Sequence, residues 1–101
     1  MSLHVYIDDI EVIPWSTMTE LFRKTIQDDG CHLEIDPNNE LRYYEYGMFA
    51  DDLRRIMNSI DFSKAAPDDS TIVEHALEIK KDFLKALAGY SGDDLVVFQI
   101  L

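Results

Sequence analysis

Three groups of residues in this chain could carry chemistry. His32, Glu34 and Asp36 recur at every second position, so on a strand they share one face, and each type can ligate a divalent metal. The same spacing also describes the wet face of a half-buried strand, and no further ligand pair accompanies it, so a small metal-dependent enzyme is only an outside reading. Cys31 as a nucleophile would need a base such as His32, but neighbours on a strand point to opposite faces. It is expected in the core as a small apolar side chain. His75, beside the apolar stripe of a helix, is expected as boundary packing. Asp36, Asn38 and Glu40 begin like a calcium loop, but Leu41 stands where that loop needs glycine and Gly47 where it needs glutamate. There is no glycine-rich phosphate loop, zinc-type cysteine spacing or helical histidine pair. The sequence therefore implies no catalytic residue and no cofactor.

The third group is the run from Arg42 to Asp52, where Tyr43, Tyr44 and Tyr46 lead through Gly47, Met48 and Phe49 into Asp51-Asp52. Tyrosines bury a large area at small entropic cost, and carboxylates can meet arginine or lysine, so the run suits binding to a basic cleft. Tyr44, Glu45, Tyr46, Asp51 and Asp52 are the expected contact residues, and Phe49 is assigned to the core. The competing account is that Asp51 and Asp52 only complement a helix dipole.

Charge bounds the partner. The 101 residues carry twenty Asp and Glu against nine Lys and Arg, a formal net of -11, with 47% hydrophobic and 29% charged residues. That is globular composition and one domain's length, 1–101. Such a surface repels phosphate backbones and anionic lipid, which argues against direct nucleic-acid or membrane binding, and it steers cationic proteins into encounter. Solubility alone would account for the charge equally well. With one cysteine, no signal-type start and no stretch near the roughly 20 apolar residues of a membrane span, a reducing cytoplasm is the expected compartment.

The elements that must position these residues follow from periodicity. Leu3, Val5 and Ile7 alternate with polar neighbours, and Ile10 and Val12 resume the pattern after Asp8-Asp9, giving a strand or a strand folded by a tight Asp-Asp turn. Thr17 with Glu20 forms a capping box that opens a first helix, with Met18, Leu21, Phe22, Thr25 and Ile26 inward and Gly30 as its stop. Cys31 to Tyr46 reads as a hairpin turning at Pro37-Asn38-Asn39. After Gly47 the period becomes helical, through Phe49, Leu53, Ile56, Met57 and Ile60. A loop follows, and then a second capping box, Thr71 with Glu74, opens the longest helix, striped by Ile72, Val73, Ala76, Leu77, Ile79, Phe83, Leu84 and Leu87. Leu95 to Phe98, apolar on both faces, is expected as a central strand beside the first. The class is α+β, or a small α/β domain, in the order β-α-β-β-α-α-β, with a small mixed sheet packed against helices.

In three pieces the chain resembles barstar, the cytoplasmic inhibitor that bacteria make against their own ribonuclease. These are the Val5 to Ile10 opening leading into an amphipathic helix, the Tyr44-Glu45-Tyr46-Gly47 segment leading into a second helix, and the final helix ending in Leu95 to Leu101. The resemblance implies an inhibitor in which Tyr46 and Asp51 contact a nuclease and Leu53 is a core residue. Glu45 replaces the family's first tyrosine, and Arg54 and Arg55 stand at its tryptophan and a key aspartate, so the target does not carry over. The leading expectation is an acidic, bacterial, cytoplasmic immunity or antitoxin protein covering the active site of a basic, nuclease-type toxin. The alternative is a phage-encoded inhibitor imitating DNA, which needs the Asp-Asp pairs at residues 8, 28, 51, 68 and 93 to gather on one side.

Overall fold

A turn of two aspartates opens the fold. Strands β1 (Val5–Ile7) and β2 (Ile10–Ile13) pair antiparallel across Asp8 and Asp9, which both adopt left-handed backbone, at φ 52° and 63°. The short polar side chain of aspartate tolerates that region better than most, and two such residues in succession match the right-handed twist of a hairpin. The register slips between Val5 and Tyr6, so Val12 and Ile13 are both buried while Ile10 is 65% exposed. An extra residue opposite one rung breaks the expected alternation.

The computed structural model describes residues 3–35 and 44–101, with only the backbone of Tyr44. Helix α1 (Ser16–Asp29) follows β2 and stops at Gly30, whose φ of 79° suits a left-handed C-cap. The Thr17 capping box does not form. Trp15 is the N-cap and offers no side-chain bond, while Ser16 Oγ is engaged by the Leu3 amide at 2.9 Å. Next come β3 (Leu33–Glu34), β4 (Tyr44–Phe49), α2 (Ala50–Ser59), a short 3-10 turn (Phe62–Lys64), α3 (Ser70–Ala86) and β5 (Leu95–Ile100). At α3 the cap is Asp69, whose carboxylate accepts from the Thr71 amide at 3.0 Å, so Thr71 lies inside the helix.

Among the described residues five strands make one sheet in the order β2-β1-β5-β4-β3, with β5 in the centre beside β1 as its apolar run predicts. All the pairings are antiparallel, not mixed. Parity explains this, since one helix between strands restores direction, as in a parallel βαβ unit, whereas two helices separate β4 from β5 and the direction reverses. The class is α+β, in the expected order with the first strand folded into a hairpin.

The core lies between the helices and one sheet face. Val5, Ile7, Tyr46, Met48, Val96, Phe98 and Ile100 point inward, against Met18, Phe22 and Ile26 of α1, Leu53, Ile56 and Met57 of α2, and Ile72, Ala76, Ile79 and Phe83 of α3. Phe22 sits between Phe83 and Phe98, with centroids 5.3 and 5.6 Å away. The stripe of α3 is narrower than its sequence suggests, because Val73 and Leu77 are exposed. His75 packs at the boundary, 5.2 Å from the Trp15 ring, with Nδ1 2.8 Å from Thr71 O. No helix of the described residues is long and apolar enough to cross a membrane.

Candidate protein-binding surface

Two adjoining surfaces stand out, an acidic end and a sheet face that no described element covers. Because successive elements reverse direction, the β1–β2 turn, the end of α1, the start of α2 and the α3–β5 connection meet at one end of the sheet. They carry Asp8-Asp9, Asp28-Asp29, Asp51-Asp52 and Asp93-Asp94. The fifth pair, Asp68-Asp69, precedes α3.

Two arginines of α2 tie this end together. Arg54 donates to Leu87 O at 2.8 Å, to Tyr90 O at 2.6 Å and to Asp51 Oδ1 at 3.1 Å. Arg55 bridges Asp29 at 2.7 and 3.0 Å and reaches Asp52 at 3.4 Å. These bonds to Arg55, helped by the Cys31 thiol, hold the Asp29 carboxyl at about 2. Tyr90 in turn donates to Asp8 Oδ2 at 2.6 Å, and that bond, with partial burial, raises its phenol. The first amides of α2 are satisfied by the neighbouring loop, Ala50 N to Asp94 O at 2.9 Å and Asp51 N to Gly92 O at 3.0 Å. A Cβ at Gly92 would fall on the Asp51 carboxylate, so glycine there leaves room for the acid. Even so, Asp51 is 76% exposed, while Asp52 is more enclosed.

The sheet face away from the helices carries Leu33, Ile35, Phe49, Leu95 and Val97, with Glu45, Gln99, Tyr6 and Glu11 on the rows beyond. Phe49 and Leu95 face each other on the last rung before the acidic end and are 48% and 42% exposed. Every described Lys and Arg lies on a helix or the 3-10 turn, whereas Glu11, Glu34, Glu45 and the Asp pairs at 8 and 93 occupy strands and their turns.

The expected contact residues are divided by this geometry. Asp51 and Asp52 belong to the acidic end, and Glu45 lies on the open face, accepting from Gln99 Nε2 at 3.0 Å. Tyr46 is a correction: it is 3% exposed, stacked on Phe98 at 5.7 Å and edge-on to His32 at 5.6 Å. Phe49 is the opposite correction, open and not core. Both follow from β4 running through Phe49, paired with β5 over six rungs. Alternation then puts Tyr46 and Met48 inward and Phe49 outward. Tyr44 opens β4 by its backbone, and its side chain lies outside the described residues.

Cys31 is exposed, against expectation, because it follows the glycine stop and precedes β3. Its thiol donates to Asp29, which raises its pKa, and Arg55 Nη2 lies 3.8 Å from the sulfur. Of the metal-type trio, His32 donates from Nδ1 to Ile26 O at 3.2 Å, Glu34 is on the exposed β3 edge, and Asp36 lies outside the described residues. Among the described residues no group of three His, Cys, Asp or Glu side chains is placed to hold a metal.

Comparison with protein-family models, curated proteins and solved structures gives no match. The functional reading therefore rests on this geometry.

Proposed function

We propose that the chain is an acidic inhibitor that works by binding: a cytoplasmic immunity or antitoxin protein that neutralises a basic, nuclease-type toxin by covering its active site. The gathering of four Asp-Asp pairs at one end, beside an apolar sheet face that no described element covers, is the observation that carries this reading. Carboxylates concentrated on one side focus the field toward a cationic cleft, and adjoining apolar area supplies affinity that charge alone does not. The resemblance to barstar-like inhibitors supports it at Asp51, the acid matched to a contact residue, but not at Tyr46, which is buried, nor at Arg54 and Arg55, which are spent on the molecule's own carbonyls and carboxylates.

The same gathering favours a second reading, an anti-restriction or anti-CRISPR inhibitor that imitates DNA, since four of the five pairs share one end. Genes beside the coding sequence supply the candidate partners for both. Titration of the chain into a purified neighbouring nuclease should give one-to-one inhibition, with association about tenfold or more slower at high salt. Asp93→Lys with Asp94→Lys should slow association similarly at low salt. Salt-independent association, or full inhibition by that variant, would remove the acidic end from the interface. Competition by a DNA duplex for a site outside the nuclease active centre would favour the DNA-mimic reading.

A further inference from the structure

The sheet face that no described element covers has an apolar half and a polar half. Antiparallel sheets commonly leave one face to water, and that face then reads polar, as Tyr6, Glu11, Glu45 and Gln99 do. Leu33, Ile35, Phe49, Leu95 and Val97 break this rule in one contiguous area. Phe49 and Leu95 are cross-strand partners, and Leu33 and Val97 flank Gly47 from either side. Ile35 and Leu95 lean over Gly47, each with a methyl 3.3 Å from where a Cβ would stand, so the glycine makes the centre of the area shallow and continuous.

Charge decides what can cover it. Glu45 borders the area, Asp93-Asp94 adjoins it, and among the described residues no Lys or Arg stands on the strands or their turns. A second copy would bring two chains of net charge -11 together with acidic borders facing each other. A cationic partner finds the opposite sign on the border and an apolar centre.

We infer that this face is the docking site for a cationic amphipathic helix of the partner protein. Its apolar side chains cover Phe49 and Leu95, and its Lys and Arg meet Glu45 and Asp93-Asp94. The helix supplies the missing layer, as the three helices do on the other face. This rests on the reading of the chain as a binder of basic proteins, and it adds the surface and the requirement for an apolar stripe.

The test uses a synthetic helical peptide of about 18 residues with Leu on one side and Lys on the other, and a shuffled peptide of the same composition with no apolar stripe. Amide shifts and calorimetry on the intact chain provide the readouts. The amphipathic peptide should shift Leu33, Phe49, Leu95 and Val97, and the shuffled peptide should bind at least about tenfold more weakly. Phe49→Ser with Leu95→Ser should weaken the first peptide by about tenfold or more. Val97→Thr, which keeps shape and strand preference, gives a smaller loss in the same direction and serves if the double variant does not fold. Equal binding of both peptides, with shifts confined to Asp51, Asp93 and Asp94, would refute this inference and leave the basic-partner reading standing. Binding of neither peptide would count against both. A dimer in sedimentation that the double variant abolishes would assign the face to a second copy and overturn the proposal.

Discussion

Arg55 holds Asp29 with both ends of its guanidinium, Nη1 to Oδ1 at 2.7 Å and Nη2 to Oδ2 at 3.0 Å, and so joins the middle of α2 to the end of α1. The contact lowers the Asp29 carboxyl from 3.8 to about 2. A group depressed on folding stabilises fully above its unfolded value, and that contribution disappears as pH falls through the folded one. The Asp29 contribution is thus present above about pH 4 and lost toward about pH 2. Arg55→Gln should return Asp29 toward its ordinary value and move the acid-unfolding midpoint to higher pH, followed by circular dichroism. An unchanged midpoint would show that the pair does not contribute to folding stability.

Arg54 is the stronger structural staple, because its Nη2 serves two carbonyls, Leu87 O and Tyr90 O, beyond the end of α3. Lysine offers a single ammonium without the planar fork. Arg54→Lys should therefore cost about 1 kcal/mol and Arg54→Ala about 2 kcal/mol in urea denaturation. Equal stability of the three proteins would contradict the assignment.

Thr19 is fully buried in α1, and its hydroxyl has no hydrogen-bond partner among the described residues. Valine has nearly the same shape without the stranded polar atom. Thr19→Val should stabilise the chain by about 1 kcal/mol, seen as a rise in the denaturation midpoint at constant slope. A loss of stability would mean that the hydroxyl is satisfied.

Cys31 is open to solvent, yet its thiol is raised by its bond to Asp29, so little thiolate exists at neutral pH. Alkylation by iodoacetamide should be slower than for a free thiol at pH 7. Asp29→Asn should speed it, because the acceptor charge is gone and Arg55 is left beside the sulfur. Equal rates in the two proteins would remove Asp29 as the cause.

Local signals carried much of this fold. Asp8-Asp9 as a turn, Gly30 as a stop and the apolar run from Leu95 to Phe98 as the central strand are legible because each depends on a residue's own conformational preference or on period. The capping boxes were less reliable guides. Thr17 and Glu20 have the right spacing, but Ser16 is tied to Leu3 and the helix starts two residues earlier, capped at Trp15. Phe49 shows why the site was only partly legible. Its spacing to Leu53 and Ile56 fits a helix, while Glu45, Gly47 and Phe49 also fit one face of a strand. The choice is made by β5, about fifty residues away in sequence. The alternation of Tyr46 and Met48 with Gly47 and Phe49 was the available signal that Tyr46 belongs inside. The five Asp pairs are visible in the sequence, but their gathering at one end depends on every element reversing direction, which only the assembled sheet reveals.

The central place of β5 also governs how the molecule can assemble. The β1–β2 and β3–β4 hairpins do not touch in the sheet order, and each meets its inner neighbour only through β5. Most of the sheet is therefore long-range contact, which slows folding. On the ribosome β1 and β4 wait with open edges until β5 emerges between them, so the chain is exposed to aggregation before that strand is made.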